Sequence, residues 1–166
     1  MGNKKWVILI ILSIGGTAFT NISTISRPDF SGTWLINEGK SEFGEHPLYI
    51  ASRQIKVKQN DDDIFIERVN MDDSLSYSET ISFDGQASKS ITTVKRAKVA
   101  RIKWDDSFEK FTEEADYSIE GDGNKPAFTS AETWSMSGDG NTLTIFTLFE
   151  VPAATYSIKA VYDRTN

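Results

Sequence analysis

Residues 75–83 read Leu-Ser-Tyr-Ser-Glu-Thr-Ile-Ser-Phe, and the fold follows from how they alternate. Leu75, Tyr77, Glu79, Ile81 and Phe83 share one parity, while Ser76, Ser78, Thr80 and Ser82 take the other. A side chain that changes face at every residue marks a half-buried β-strand; a helix would repeat every 3.6 residues. Asp84-Gly85 comes next, a pair that tolerates positive φ and so turns a hairpin.

The same reading extends in both directions. Upstream, Phe30–Asn37 is a strand, Gly39–Pro47 a polar loop, and Ser52–Gln59 sets Ile55 and Val57 against Gln54, Lys56 and Lys58. Asn60–Asp63 is a turn cluster, and Ile64–Val69 runs back. Downstream, Val94–Trp104 aligns Ala100, Ile102 and Trp104, and Asp105-Asp106-Ser107 turns the chain into Phe108–Ile119. Gly121-Asp122-Gly123-Asn124 turns it again, and Thr129–Ser137 places Trp134 and Met136 on one face. Thr142–Glu150 is apolar on both faces, which predicts a strand that is covered on both sides or central. Tyr156–Arg164 aligns Tyr156, Ile158, Ala160, Tyr162 and Arg164.

About eight to ten strands result, joined by short turns and with almost no helix. Such a chain must bury one sheet face and dispose of two open edges. Closure into a single antiparallel up-and-down β-barrel meets both demands, whereas a two-layer sandwich meets only the first. The expectation is therefore an all-β barrel over residues 21–166, one domain without an internal linker.

Composition narrows the chemistry. The chain has 166 residues, no cysteine and one histidine, with 39% hydrophobic and 25% charged residues. That is too apolar for a disordered acidic chain and long enough for a core. Lack of cysteine removes disulfides, thiolate zinc sites, iron–sulfur clusters and cysteine nucleophiles. A single histidine leaves no basis for a multi-histidine metal site, and a Ser-His-Asp triad would have to use His46. Nothing calls for a cofactor.

Residues 1–20 read as a secretory signal peptide: Lys4 and Lys5, an apolar run from Trp6 to Leu12, then the small, mixed stretch Ser13–Thr20. Cleavage could follow Ala18 or Thr20; the alternative is an uncleaved anchor, although the apolar stretch is shorter than the ~20 residues a span needs. Trp6 stands where a myristoylation signal needs Ser or Thr. Removal of residues 1–20 would move the net charge from −6 to −8, since two lysines and no acids are lost. So acidic a surface disfavours nucleic acid and anionic lipid as partners. The expected location is secreted or periplasmic, with no membrane contact after cleavage.

Phe30-Ser-Gly-Thr-Trp34 opens the first strand and Val161-Tyr-Asp-Arg164 closes the last. This resembles the lipocalin and calycin pattern, in which a Gly-x-Trp begins the first strand and a late arginine packs on that tryptophan. The resemblance assigns barrel closure to Gly32, Trp34 and Arg164. An indole plug buries roughly 150–250 Å² of apolar area, and a guanidinium on its face adds about 0.5–2 kcal/mol. The layout is also similar to small secreted bacterial lipocalin-like proteins, through Lys40-Ser-Glu-Phe43-Gly44, Trp104-Asp105, Glu132-Thr-Trp134 and Ser137–Gly140. The Thr-Asp-Tyr signature and paired cysteines of classical lipocalins are missing, which points to the wider superfamily rather than the carrier group.

Several charges share parity with apolar residues. Glu79 lies between Tyr77 and Ile81, Glu132 precedes Trp134, and Glu113 lies between Phe111 and Ala115. Arg96 and Lys98 have the parity of Ala100 and Trp104, and Arg68 that of Ile64 and Ile66. An unpaired buried charge is costly. Three readings stay open: strand ends in solvent or bulged out, a structural ion-pair network, or anchors for a ligand's polar group. The last makes Glu79, Phe83, Trp104, Tyr117, Glu132 and Trp134 candidate pocket lining.

Two such glutamates could also form an acid–base pair, although no nucleophile elbow or phosphate loop accompanies them. Asp61–Asp63, Asp72-Asp73, Asp122–Asn124 and Asp139–Asn141 read as hairpin turns rather than calcium loops. His46 and Phe43 would become gate residues if the first loop covers the barrel mouth. The leading functional expectation is binding or transport of a small, partly apolar molecule. The alternative is a filled barrel acting as an interaction or cell-surface module.

Overall fold

A computed structural model describes residues 27–44, 50–72, 76–92, 96–119 and 126–165. Ten strands follow in chain order: β1 Gly32–Ile36, β2 Ser52–Gln59, β3 Asp63–Asn70, β4 Ser76–Ser82, β5 Ser88–Ile91, β6 Arg96–Trp104, β7 Lys110–Ile119, β8 Phe128–Met136, β9 Thr142–Val151 and β10 Ala154–Thr165. A short 3-10 turn, Glu38–Lys40, follows β1.

The strands form one antiparallel sheet in the order β4-β3-β2-β1-β10-β9-β8-β7-β6-β5. Every pair of sequence neighbours except β4 and β5 forms a ladder, and the first strand meets the last with Trp34 opposite Arg164. The up-and-down barrel is therefore nearly closed. Its seam lies between β4 and β5, which have no ladder among the described residues. Towards one end of that seam a side chain stands in for the ladder, the Ser82 amide donating to Ser88 Oγ at 3.2 Å.

The two ends differ. Tight turns at 60–62, 83–87, 105–109 and 137–141 gather at the end where β1 begins, here the base; the longest connections, 37–51 and 120–127, belong to the opposite rim. Phe30, Trp34, Phe111 and Trp134 are fully buried in the base. Phe30 meets Phe111 edge-on at 5.2 Å, and Phe111 stacks on Trp134 at 5.3 Å. Offset and edge-on contacts of this kind suit the ring quadrupoles and fill volume densely.

Closure joins the ends of the chain. The Arg164 guanidinium lies 4.3 Å from the Trp34 ring, while Nε donates to Gly140 O and Nη1 to Ser31 O, both at 2.7 Å. Trp34 Nε1 donates to Phe30 O at 2.9 Å. Gly32 has φ +141°, and a Cβ there would lie 2.7 Å from Arg164 Nη1, so only glycine allows the arginine this close. A second cation caps the base: Arg27 lies 5.1 Å from the Trp104 ring, 5.4 Å from Phe83 and 5.7 Å from Phe108. Phe108 takes part at φ +57°, a conformation uncommon for a bulky residue.

Three expectations need correction. β5 is absent from the sequence reading because it has only four residues, Ser-Lys-Ser-Ile, with Ile91 exposed rather than buried. β9 is not covered on both sides. Leu143, Ile145 and Thr147 face inward, but Phe146 is 46% exposed, since the outside of the barrel meets solvent. Phe108 belongs to a turn instead of β7, because the Asp105 carboxylate accepts hydrogen bonds from the amides of Glu109 and Lys110 and prolongs the turn. The signal-peptide reading at 1–20, together with His46, Asp73, Leu75, Val94 and Asp122–Asn124, lies outside the described residues.

Arg164→Ala removes the cation–π contact and two hydrogen bonds to a charged donor. It should cost about 2–4 kcal/mol by urea unfolding, and Arg164→Lys should restore less than half of that loss.

Candidate functional site

The ladder between β7 and β8 sets Glu113 directly opposite Glu132, both on the inner face. Like charges in that relation repel. Two cations from other strands reach them. Arg68 on β3 crosses the lumen, its Nη2 donating to Glu132 Oε2 at 2.6 Å and lying 3.6 Å from Glu113 Oε2. Lys98 on β6 pairs with Glu113 and donates to Glu79 Oε1 at 2.8 Å. Glu79 Oε1 is also 3.8 Å from Arg68 Nε. From β5, Ser90 Oγ donates to Glu79 Oε2 at 3.3 Å, so Glu79 straps β4 to β5 and β6 over the open seam. Trp134 Nε1 donates to Glu132 Oε2 at 3.3 Å, linking this layer to the base.

The layer is dry. Lys98 and Glu113 are each 1% exposed, and Glu79 and Arg68 little more. Two buried atoms, Arg68 Nε and Glu113 Oε2, make no hydrogen bond. Three carboxylates against two cations leave one excess negative charge when all are ionised. Burial pushes the Glu113 carboxyl up, and Glu79 and Glu132 add to this against Lys98 and Arg68, bringing it to about 7. For Glu132, burial acts upward, but the Arg68 and Lys98 cations outweigh it and hold the carboxyl below its ordinary value. Burial opposes charge on Arg68 and Lys98 as well, yet the surrounding carboxylates keep both well above their usual values. Burial also raises the phenols of Tyr77, Tyr117 and Tyr162.

Rimward of the Glu113–Glu132 row, the ladders align Ser88, Ala100, Ala115 and Ser130 across β5 to β8. This row of small side chains adjoins the carboxylates. The same row continues from Ser130 to Phe149, which stacks on Tyr156 at 5.4 Å, and the next row sets Lys98 beside Tyr117, which stacks on Phe128 at 4.3 Å. Ile50, Phe128 and Phe149 are only partly buried. A cleft of about 20 Å³ lies among Ser52, Arg68, Glu132, Thr147, Ile158 and Tyr162. That is room for one water.

The candidate residues divide by level. Phe83, Trp104 and Trp134 belong to the aromatic base, Glu79 and Glu132 to the charged layer, and Tyr117 to the aromatic pair above it. Gly32, Trp34 and Arg164 close the barrel. Arg68, Lys98 and Glu113 complete the ionic layer, so the inward charges form a buried network instead of lying at solvated strand ends. Arg96 departs from its parity. It sits at the rim, exposed, 5.2 Å from the Phe128 ring. Ser90 could not be read as a partner because β5 itself was not legible, whereas Tyr162 already carried inward parity. The described acidic turns are spent on turn closure: Asn60 Oδ1 accepts from the amides of Asp62 and Asp63, and the Ser137 hydroxyl and Asn141 amide draw the Asp139 carboxyl down to about 2.

No family model matches the sequence, and no curated protein sequence does. Solved structures do match in shape. The zebrafish ileal bile acid-binding protein complexed with cholic acid superposes with TM-score 0.57 at 15% identity, over 82% of this chain and 98% of that one. A REP1-NXSQ fatty acid transporter variant gives 0.54 at 12% identity, over 82% and 98%. An abundant heat soluble (SAHS) protein from Ramazzottius varieornatus gives 0.56 at 10% identity, over 81% and 94%. The fold is that of a calycin-like barrel. Within this calycin-like frame the charged layer is written by this chain's own side chains, and a likeness of fold leaves its use open.

Two outcomes follow from the electrostatics. Arg68→Met leaves three buried carboxylates facing one lysine and should cost about 3–5 kcal/mol at pH 7, with a smaller loss at pH 5 where the carboxyls can take protons. The second concerns Glu113, whose folded carboxyl titrates near 7 against an ordinary 4.5. Between those values the native state holds a proton that the unfolded chain has released. Stability should therefore fall as pH rises through this window, by up to about 3 kcal/mol, and level off above it. Urea midpoints measured across that range should show the slope in the native sequence and lose it in Glu113→Gln.

Proposed function

We propose that the chain binds a small amphipathic molecule in the rimward half of its barrel, with the charged layer as the floor of the site. One observation carries this reading. Four ionisable side chains, Arg68, Glu79, Lys98 and Glu113, are buried midway along the lumen beside a half-buried Glu132, with Arg68 Nε and Glu113 Oε2 left without hydrogen bonds. Well-packed apolar side chains would serve stability at least as well. A polar floor beneath half-buried Ile50, Phe128 and Phe149 suits a molecule with one polar end and an apolar body. Two solved structures of similar fold bear the names of a bile acid-binding protein and a fatty acid transporter, which supports a carrier role. The basic, apolar and small-residue opening of the chain supports a secreted or periplasmic setting for that role.

A second reading has its own support: the narrow cleft at Arg68 and the densely filled base suit a barrel without a ligand, used as an interaction module. Titration with N-phenyl-1-naphthylamine, an uncharged fluorescent probe, separates the two. The carrier reading expects saturable binding that Ala115→Leu weakens at least tenfold with the circular dichroism spectrum unchanged. Absence of saturable binding in the native sequence favours the filled barrel.

A further inference from the structure

We infer that the lumen floor is built to receive an organic cation, the ammonium group of an alkylamine-like amphiphile, and to reject a carboxylate. This rests on the carrier reading above and adds the sign of the head group. Arg68 looks like an anchor for an anion, but it is already engaged. Glu132 Oε2 lies 2.6 Å from Nη2, Glu113 Oε2 3.6 Å from Nη2, and Glu79 Oε1 3.8 Å from Nε. A carboxylate arriving at Arg68 would enter the field of three others in a site with little water to screen them.

The lysine is similarly committed, with Nζ between Glu79 and Glu113 at 1% exposure. Charges on the floor sum to minus one when all are ionised, so an added anion makes minus two and an added cation makes zero. The unsatisfied acceptor points the same way. Glu113 Oε2 is buried without a hydrogen bond and can receive an N–H from an ammonium group, but it offers nothing to a second carboxylate unless it is itself protonated. Ala100 and Ala115 beside this carboxylate are small, and the same row continues through Ser130 to Phe149 and Tyr156. At the rim, the half-buried faces of Phe128 and Phe149 suit the alkyl body.

Proton linkage follows from the same arrangement. The titratable and charged groups around Glu113 are Arg68 from β3, Tyr77 and Glu79 from β4, Lys98 from β6, Tyr117 from β7 and Glu132 from β8. With Glu113 titrating near neutrality, a bound cation should expel its proton and a bound anion should retain it.

The test is calorimetric titration of the full chain at pH 7 with decylammonium, decanol and decanoate, each below its micelle concentration and each in two buffers of different ionisation enthalpy. Decylammonium should bind at least tenfold more tightly than decanoate, with decanol between, and its binding should release protons. Glu113→Gln should bring the amine and the acid within about threefold of each other and abolish the proton release on amine binding. Decanoate binding as tightly as the amine, or amine binding that takes up protons, would overturn the charge assignment while sparing the carrier reading. Binding of none of the three would overturn both.

Discussion

Charge neutralisation across the lumen is the constraint around which this barrel is organised. Glu113 and Glu132 stand opposite one another on adjacent strands, a relation that is unfavourable by itself. It persists because Arg68 and Lys98 arrive from β3 and β6. The consequence is mechanical as well as electrostatic. Backbone ladders run continuously from β4 around to β5 and then stop. Glu79, held by Lys98 and Ser90, spans the gap they leave. Ionic contacts thus complete a wall that hydrogen-bonded strands leave open.

Packing is uneven along the barrel axis. At the base, Phe30, Trp34, Phe111 and Trp134 are wholly buried, and two arginines from opposite ends of the described chain lie on aromatic faces. Short turns there give little freedom. Rimward of the Glu113–Glu132 pair come Ala115 and Ser130, with Phe149 opposite Ser130, and then Tyr117 and Phe128 beside Lys98. The polar layer separates a region committed to packing from one that is not. Glu132 joins them, accepting from Arg68 within the layer and from Trp134 below it.

Much of this was legible in the primary structure, for physical reasons that differ by residue. Leu75–Phe83 alternates so regularly that the inward position of Glu79 could be read directly, and the Trp34–Arg164 contact was implied by the resemblance of Gly32-x-Trp34 and Arg164 to the lipocalin pattern. Parity also marked Arg68, Lys98 and Glu113. It could not say which cation would meet which carboxylate, because those partners lie on strands brought together only by closure: Arg68 and Glu132 are 64 residues apart. β5 escaped notice since four residues with an exposed isoleucine carry no periodic signal. Arg96 misled because parity gives a face but not a depth, and a strand end lies in solvent on either face.

The Arg68 guanidinium is already engaged within the lumen. A guanidinium attracts an anion in proportion to the charge left uncompensated around it, and three carboxylates already lie within 4 Å of Arg68. What remains uncompensated is the third carboxylate. On a fixed backbone, the count of acids and bases in such a layer sets the sign of its excess charge, and that sign governs the cost of burying a further charge beside it.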